Sequence, residues 1–226
     1  MLIAVAVAFI FLNGLGVWQL YRLHWKEGLI ADLARTESMP AVPIDTVLDQ
    51  PKSSAEKPSW RSVTLASCAL DPAHLINMHS EMDGTPGYRV LGACPLAGGR
   101  NLLVDLGFST NRIGLPAPVN IVPVGRLRPA DQASAFSPVN APATGEWYTR
   151  NTPEIAATWR VPLRPDYFLV LDVAASKLSL AGLQQGPVTA PLPNRHFEYA
   201  LTWFSLAWIM IGIFIAFVRQ KQANND

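Results

Sequence analysis

The chain carries two long apolar runs, one near each end, separated by a segment in which apolar and polar residues alternate or mix. Residues 2–20 hold no charged side chain, and residues 197–218 hold only Glu198, at their start. At about 1.5 Å of rise per helical residue, each run is long enough to cross a hydrocarbon layer of about 30 Å. The pattern predicts two transmembrane helices, one within residues 1–21 and one at residues 197–218.

The residues that flank the two runs predict their orientation. Trp18 and Tyr21 end the first run, and aromatic rings of this kind concentrate at membrane–water interfaces. Arg219 and Lys221 follow the second run, and basic residues favour the cytoplasmic side. We therefore expect both termini, including the tail 219–226, to be cytoplasmic in a bacterial inner membrane.

A cleaved signal peptide is the alternative interpretation of the N-terminal run. Gly14 and Gly16 would supply the small residues of such a signal, but no basic segment precedes the run. The first helix also has a reason to continue beyond the membrane. Apolar residues at helical spacing extend its pattern until Pro40 forbids further helix, so we expect an exposed helical extension to about residue 35.

Between residues 36 and 193 the hydrophobic period changes to two, which is typical of half-buried strands. Thr152 is predicted as the N-cap of a short helix that reaches about Trp159, with proline at its first position. Turns are expected at Asp83-Gly84 and Pro86-Gly87, and a surface loop at 51–58. Strands are predicted at 60–66, 75–79, 88–94, 101–108, 119–127 and 167–173, with Pro123 placing the fifth at an edge or in a bulge.

These elements predict an α+β membrane protein. Two transmembrane helices, N- and C-terminal, would flank one mainly antiparallel β domain with short helices, and residues 36–193 are long enough for one domain but hardly for two. The topology places that domain outside the cytoplasm, in the periplasm.

The charge and the cysteine content of the chain limit which partners and which cysteine chemistry are expected. A net charge of +1 without a basic cluster argues against nucleic acid. The two cysteines, Cys68 and Cys94, could form a disulfide in an oxidising compartment, or they could be two small residues in neighbouring strands. They are too few for a zinc site.

No motif for an enzyme is present in the sequence. It lacks a glycine-rich phosphate loop, a Gly-x-Ser-x-Gly elbow, His-Glu-x-x-His and Cys-x-x-Cys. His74 and His79, with Glu81 or Asp83, could hold a metal, but two histidines without a third fixed ligand are more often surface residues. Catalysis is therefore disfavoured.

Several short motifs follow one another over nearly the whole chain. They are Gly16-Val17-Trp18-Gln19, Gly84-Thr85-Pro86-Gly87-Tyr88, Gly125-Arg126-Leu127-Arg128, Phe136-Ser137-Pro138-Val139-Asn140, Trp147-Tyr148, and the start of the last helix with Asn194, His196, Tyr199 and Trp203. In residues and in order, these motifs resemble the Surfeit locus protein family, the membrane assembly factors of cytochrome c oxidase.

The chain departs from the family pattern at a few positions. Where the family usually has Val-Asn-Arg-Gly-Trp, this chain has Val104-Asp105-Leu106-Gly107-Phe108, so a basic residue is missing. Arg195 follows Asn194 in place of a second asparagine, and Asn151 stands where an aspartate is usual. These differences mark a divergent member.

The resemblance implies a protein that binds haem a and helps to deliver it to cytochrome c oxidase subunit I, with haem a synthase as a further candidate partner and the lipid bilayer as the surroundings. Haem iron needs an imidazole, and His196 is the histidine that the predicted topology places at the membrane interface. In the alternative interpretation, His196 only hydrogen-bonds a loop carbonyl. The candidates for the haem pocket or for pairing with the propionates are Gln19, Arg22, Arg195, Tyr199 and Trp203.

Two other functions fit the same sequence less well. A membrane-anchored periplasmic ligand-binding or sensory module, without haem, would need a route for its signal, and the tail 220–226 is too short to hold a signalling domain. A membrane-anchored hydrolase is disfavoured by the missing nucleophile motif.

Overall fold

The computed structural model describes residues 1–48, 60–131, 137–186 and 193–224. The chain divides into a helical unit, Met1–Ala34 with Pro191–Asp226, and a sheet unit, Arg35–Ala190. The helices are α1 (Leu2–Ser38), α2 (Ile44–Leu48), α3 (Thr152–Trp159) and α4 (His196–Ala223). The strands are β1 (Val42–Pro43), β2 (Ser62–Thr64), β3 (Cys68–Leu70), β4 (Ile76–Met82), β5 (Thr85–Pro95), β6 (Asn101–Ser109), β7 (Val119–Ile121), β8 (Val124–Pro129) and β9 (Leu163–Leu171).

The helical unit contains the two predicted apolar helices. By length and composition, α1 and α4 are each able to cross a membrane, with mean hydropathies of 2.0 and 2.2 over their most apolar windows. Helix α1 runs unbroken past the membrane-length segment to Ser38, two residues before Pro40. Both apolar terminal helices of the predicted fold are thus confirmed.

Small residues let α1 and α4 pack closely. Gly16 is buried, and a Cβ atom added there would lie 2.6 Å from the ring of Phe204. Ala200 and Ala207 are the buried positions of α4, and the ring of Phe9 meets that of Trp208 edge-on at 5.9 Å. Because helices in lipid gain no hydrophobic driving force from association, such close backbone approach is a main source of their packing energy.

The sheet unit is built on a mixed seven-stranded sheet with the order β1-β2-β8-β9-β6-β5-β4. Four of its neighbouring pairs are antiparallel, but β1–β2 and β6–β9 are parallel. The prediction of a mainly antiparallel sheet is therefore correct only in part. The difference arises because β9 pairs with a strand far back in the sequence, and a parallel pair needs a long crossover, which residues 110–162 provide.

One of the two predicted turns, at Asp83-Gly84, is confirmed. Strands β4, β5 and β6 form an antiparallel meander, and Asp83 and Gly84 turn between the first two with φ of 51° and 78°. The turn expected at Pro86-Gly87 is wrong, because both residues lie within β5. Gly87 is required there by the neighbouring strand, since an added Cβ would lie 2.5 Å from both Phe108 and the backbone oxygen of Ser109.

Pro123 divides the strand predicted at 119–127 into two strands of different sheets. Strand β7 pairs with β3 in a separate two-stranded sheet, whereas β8 lies inside the main sheet between β2 and β9. The predicted single strand, and its edge position, are thus wrong for β8. Proline cannot donate to a ladder, so it marks the point where the chain leaves one sheet for the other. The loop predicted at 51–58 lies outside the described residues.

Buried apolar residues form two clusters on opposite faces of the main sheet. Leu102, Val104 and Leu106 of β6 belong to the larger cluster, whereas Leu103 belongs to the smaller one, as expected from the alternation of side chains along a strand. Ile155 and Trp159 of α3 cover the smaller cluster. The side chain of Asn151 accepts from the backbone N–H of Glu154, so Asn151 is the N-cap of α3 and the prediction of Thr152 is wrong by one residue.

The two cysteines join the two sheets. Cys68 of β3 and Cys94 of β5 form a disulfide, with their Cα atoms 5.2 Å apart. The sequence allowed either a disulfide or two unbonded cysteines in neighbouring strands, and the structure contains the disulfide. The disulfide fixes the small sheet to the central meander, and closing a loop of 26 residues contributes about 3–4 kcal/mol by restricting the unfolded chain.

Candidate functional site

The imidazole of His196 meets the side chain of Gln19 within the helical unit. His196 is the first residue of α4 and is half-buried, and its Nδ1 lies 2.7 Å from Gln19 Oε1. Because a carboxamide oxygen can only accept, Nδ1 donates the hydrogen bond. A neutral ring with its proton on Nδ1 leaves the lone pair of Nε2 available to a metal ion.

The start of α4 is held in place by groups from both helices. Lys26 Nζ donates to the backbone oxygen of Pro193 at 2.6 Å, which ties the segment before α4 to α1. Arg195 occupies the N-cap without a capping hydrogen bond from its side chain, and Glu198 supplies negative charge in the first turn, where the helix dipole favours it. No sequence motif pointed to Lys26, because its partner is a backbone atom far along the chain.

The structure brings together only some of the predicted site residues. Gln19, a candidate for the haem pocket, is the hydrogen-bond partner of His196. Tyr199 and Trp203 follow His196 at i+3 and i+7, so they share one side of α4; Tyr199 is 53% exposed and Trp203 half-buried. Arg22 stacks over the ring of Trp25 at 4.6 Å, and both Arg22 and Arg195 are exposed.

The hydrogen bond at Nδ1 of His196 is compatible with a role for its Nε2 as an axial ligand of iron. Histidines that bind metals almost always donate their second ring N–H to an oxygen, which fixes the tautomer and the orientation of the ring. The bond from Nδ1 to Gln19 has this form, and it differs from the loop carbonyl that the alternative interpretation assigned to His196. The described residues contain no group of three His, Cys, Asp or Glu side chains able to hold a metal by themselves.

The two histidines considered for a metal site have other partners. His74 Nδ1 lies 3.6 Å from a carboxylate oxygen of Asp71, and its ring packs against Trp159. His79 Nε2 lies 2.5 Å from Glu146 Oε2, and its ring stacks on Tyr148 with centroids 4.9 Å apart.

Glu146 connects β4 to the loop before α3. The hydrogen bond with His79, followed by the charge of Arg112, holds the pKa of the Glu146 carboxyl below its ordinary value. The backbone supports the same contact, because His79 N donates to Trp147 O at 2.7 Å. The cluster therefore fastens this loop to the sheet.

A buried ionic network lies at the middle of the sheet unit, and sequence analysis did not find it. Asp105 of β6 is fully buried and accepts from Arg89 Nε and Nη2 at 2.8–3.1 Å and from Arg150 Nη2 at 2.7 Å. It also accepts from Gly107 N at 3.2 Å, and Arg150 Nη1 reaches the exposed Asp131 at 2.6 Å. The available signal was a carboxylate inside the apolar strand Leu-Leu-Val-Asp-Leu, since a buried charge needs a partner.

The fold and site define a class of protein in which two terminal helices able to span a membrane flank an α+β domain, with a histidine held between the helices. The SURF1 family model matches residues 5–208, and the chain belongs to the SURF1 family. This membership confirms the resemblance found in the sequence motifs, and it is consistent with a role in the assembly of cytochrome c oxidase.

Relatives from distant organisms match the chain along most of its length. A SURF1-like protein of Dictyostelium discoideum is 24% identical, over 92% of each chain. One from Rickettsia felis is 25% identical, over 96% of each, and one from Mycobacterium tuberculosis is 27% identical, over 94% of this chain and 81% of its own. The similarity thus extends over most of the chain, and the family match runs from within α1 to within α4.

Proposed function

We propose that this protein is a membrane assembly factor for cytochrome c oxidase that binds haem a and assists its insertion into subunit I. The observation that carries the proposal is the hydrogen bond from His196 Nδ1 to Gln19 Oε1, in a member of the SURF1 family, because it leaves Nε2 ready to bind iron. Haem a is the cargo in this proposal, and the protein has no catalytic role. Haem a synthase is the proposed donor.

The surroundings of His196 suit the other parts of the cargo. Haem a supplies an iron that accepts an axial imidazole, an apolar macrocycle with a long hydrocarbon tail, and two anionic propionates. Trp203 and Tyr199 offer aromatic surface on the same side of α4 as His196. The exposed guanidinium groups of Arg22 and Arg195 lie in the same helical unit and suit the propionates, since arginine binds carboxylates in a bidentate manner.

The test is the haem content of the full chain. Purified in detergent from cells that make haem a, the protein should show a reduced pyridine-haemochrome spectrum of haem a. A chain that folds but carries no haem, even after incubation with haem a, would contradict the proposal and favour the alternative of a periplasmic ligand-binding or sensory module.

We also propose that the sheet unit lies in the periplasm and both termini in the cytoplasm. Two helices that both crossed the membrane would leave the termini on one side, and Arg219 and Lys221 favour the cytoplasm for that side. Alkaline phosphatase, which is active only outside the cytoplasm, should be active when fused after Pro138 and inactive when fused after Asp226. An active C-terminal fusion would overturn this topology.

A further inference from the structure

Two arginines of β8 point to the face of the sheet that carries α3. Arg126 and Arg128 alternate with Leu127, which lies in the larger core cluster on the opposite face. In register, Arg126 pairs with Val170 and Arg128 with Phe168 of β9, and both partners belong to the smaller cluster. Val170 is in turn the neighbour of Asp105, so the two guanidinium groups extend beside the buried ionic network.

Aromatic rings hold the guanidinium group of Arg128 in a defined plane. Arg128 stacks over Trp60 at 4.6 Å and lies 5.8 Å from the ring of Phe168, which Arg150 covers at 4.1 Å. Trp60 adopts a φ of 72°, an uncommon conformation for a bulky residue, and its backbone N–H donates to Leu127 O at 2.6 Å. Strained residues of this kind persist where the surrounding contacts require them, often at ligand sites.

Each of these arginines has one buried donor nitrogen that is not used within the described part of the chain. Arg126 Nη1 and Arg128 Nε are buried and have no hydrogen-bond partner there. Burial, followed by the charge of Arg150, lowers the pKa of Arg128. Buried polar groups are normally satisfied, and a second cation nearby raises the cost of leaving this one unpaired.

Neither Arg126 nor Arg128 forms an ion pair among the described residues. The two carboxylates whose charge acts on Arg128, Asp105 and Asp131, are already engaged, Asp105 by Arg89 and Arg150 and Asp131 by Arg150. Arg126 and Arg128 therefore carry positive charge that no described carboxylate pairs with directly.

We propose that Arg126 and Arg128 form a binding site for an oxyanion with the geometry of a carboxylate or a phosphate. Guanidinium groups present their N–H donors as a planar fork that matches both anions. Trp60 acts as a positioning residue, because its ring fixes the plane of the Arg128 guanidinium. This site belongs to the sheet unit and does not depend on haem binding at His196.

The test is thermal unfolding of the full chain in a maltoside detergent, with inorganic phosphate, malonate or chloride at equal ionic strength. A ligand that binds only the folded state raises the Tm, and we expect a rise of about 2–4 °C over chloride at saturation. A shift with phosphate alone indicates a phosphate-bearing ligand, and a shift with malonate indicates a carboxylate. Equal Tm values in all three salts would overturn the proposal.

Matched arginine variants test whether the anion-dependent rise in Tm arises at Arg126 and Arg128. Arg126→Gln should abolish the shift, whereas Arg100→Gln, which removes the same charge from the exposed β5–β6 turn, should keep it. Should Arg126→Gln fail to fold, Arg126→Lys keeps the charge but loses the fork and should reduce the shift. A full shift in a folded Arg126 variant would also overturn the proposal.

Discussion

His196→Ala should purify without haem a while the chain still inserts and folds. The variant removes the proposed axial ligand but leaves α4 intact, because alanine is a good helix former and the first turn makes no other side-chain bond through this residue. Haem per protein, measured beside a thermal unfolding curve, checks the expectation. His24→Ala is the control, since His24 also lies in the helical unit but its side chain is 80% exposed.

A substitution at Gln19 distinguishes a ligand role of His196 from a structural role. Gln19→Leu keeps His196 but removes the acceptor of its Nδ1–H, so haem affinity should fall by about 10-fold or more with little change in the iron's spectrum. If His196 is only structural, His196→Ala lowers the Tm and leaves haem content unchanged. Unchanged haem in a well-folded His196→Ala protein would remove this residue from the mechanism.

Asp105→Ala should destabilise the sheet unit by about 3–5 kcal/mol, because the substitution leaves the buried guanidinium group of Arg89 without a carboxylate and removes one of the two carboxylates that pair with Arg150. Urea unfolding followed by tryptophan fluorescence measures the change. Asp131→Asn is the matched control: Asp131 also pairs with Arg150, but its side chain is 51% exposed, so the loss should stay below about 1 kcal/mol. Similar losses in the two variants would show that the Asp105 network does not stabilise the fold as proposed.

The helices were predictable from local sequence. A run without charges is sufficient to identify α1 and α4, and Pro40 marks the limit of α1. Helix α3 was found from Pro153 and the residues before it, with an error of one residue at the cap. The turn between β5 and β6 can also be predicted from local sequence. Gly98 and Gly99, which adopt φ of 85° and 78°, lie between the two strands, and adjacent glycines favour a turn.

Sheet order could not be read from local sequence. Alternation shows that β6 and β9 are strands, but it carries no information about their parallel pairing, which depends on the whole segment between them. The same limit explains β8. Pro123 correctly signalled an interruption, yet only the tertiary structure shows that the chain enters the middle of the main sheet after it.

The candidate site was accessible only in outline. Two antiparallel helices bring Gln19 and His196 to one level, but the rotation of each helix about its axis decides which side chains meet, so their hydrogen bond could not be predicted from the sequence. Leu106 illustrates another limit. The family pattern suggested a missing arginine, and the structure shows a fully buried leucine packed near Gly92 in the larger core cluster.

The position of β9 has a consequence for chains that end early. Strands β1, β2 and β8 form one half of the main sheet and β4, β5 and β6 the other, and β9 is the strand that hydrogen-bonds to both. A product truncated by a nonsense mutation before residue 163 would therefore contain two half-sheets, with β6 and β8 each presenting an unpaired edge. Such edges template intermolecular pairing, so truncation would yield an aggregation-prone substrate for proteases rather than a smaller working domain.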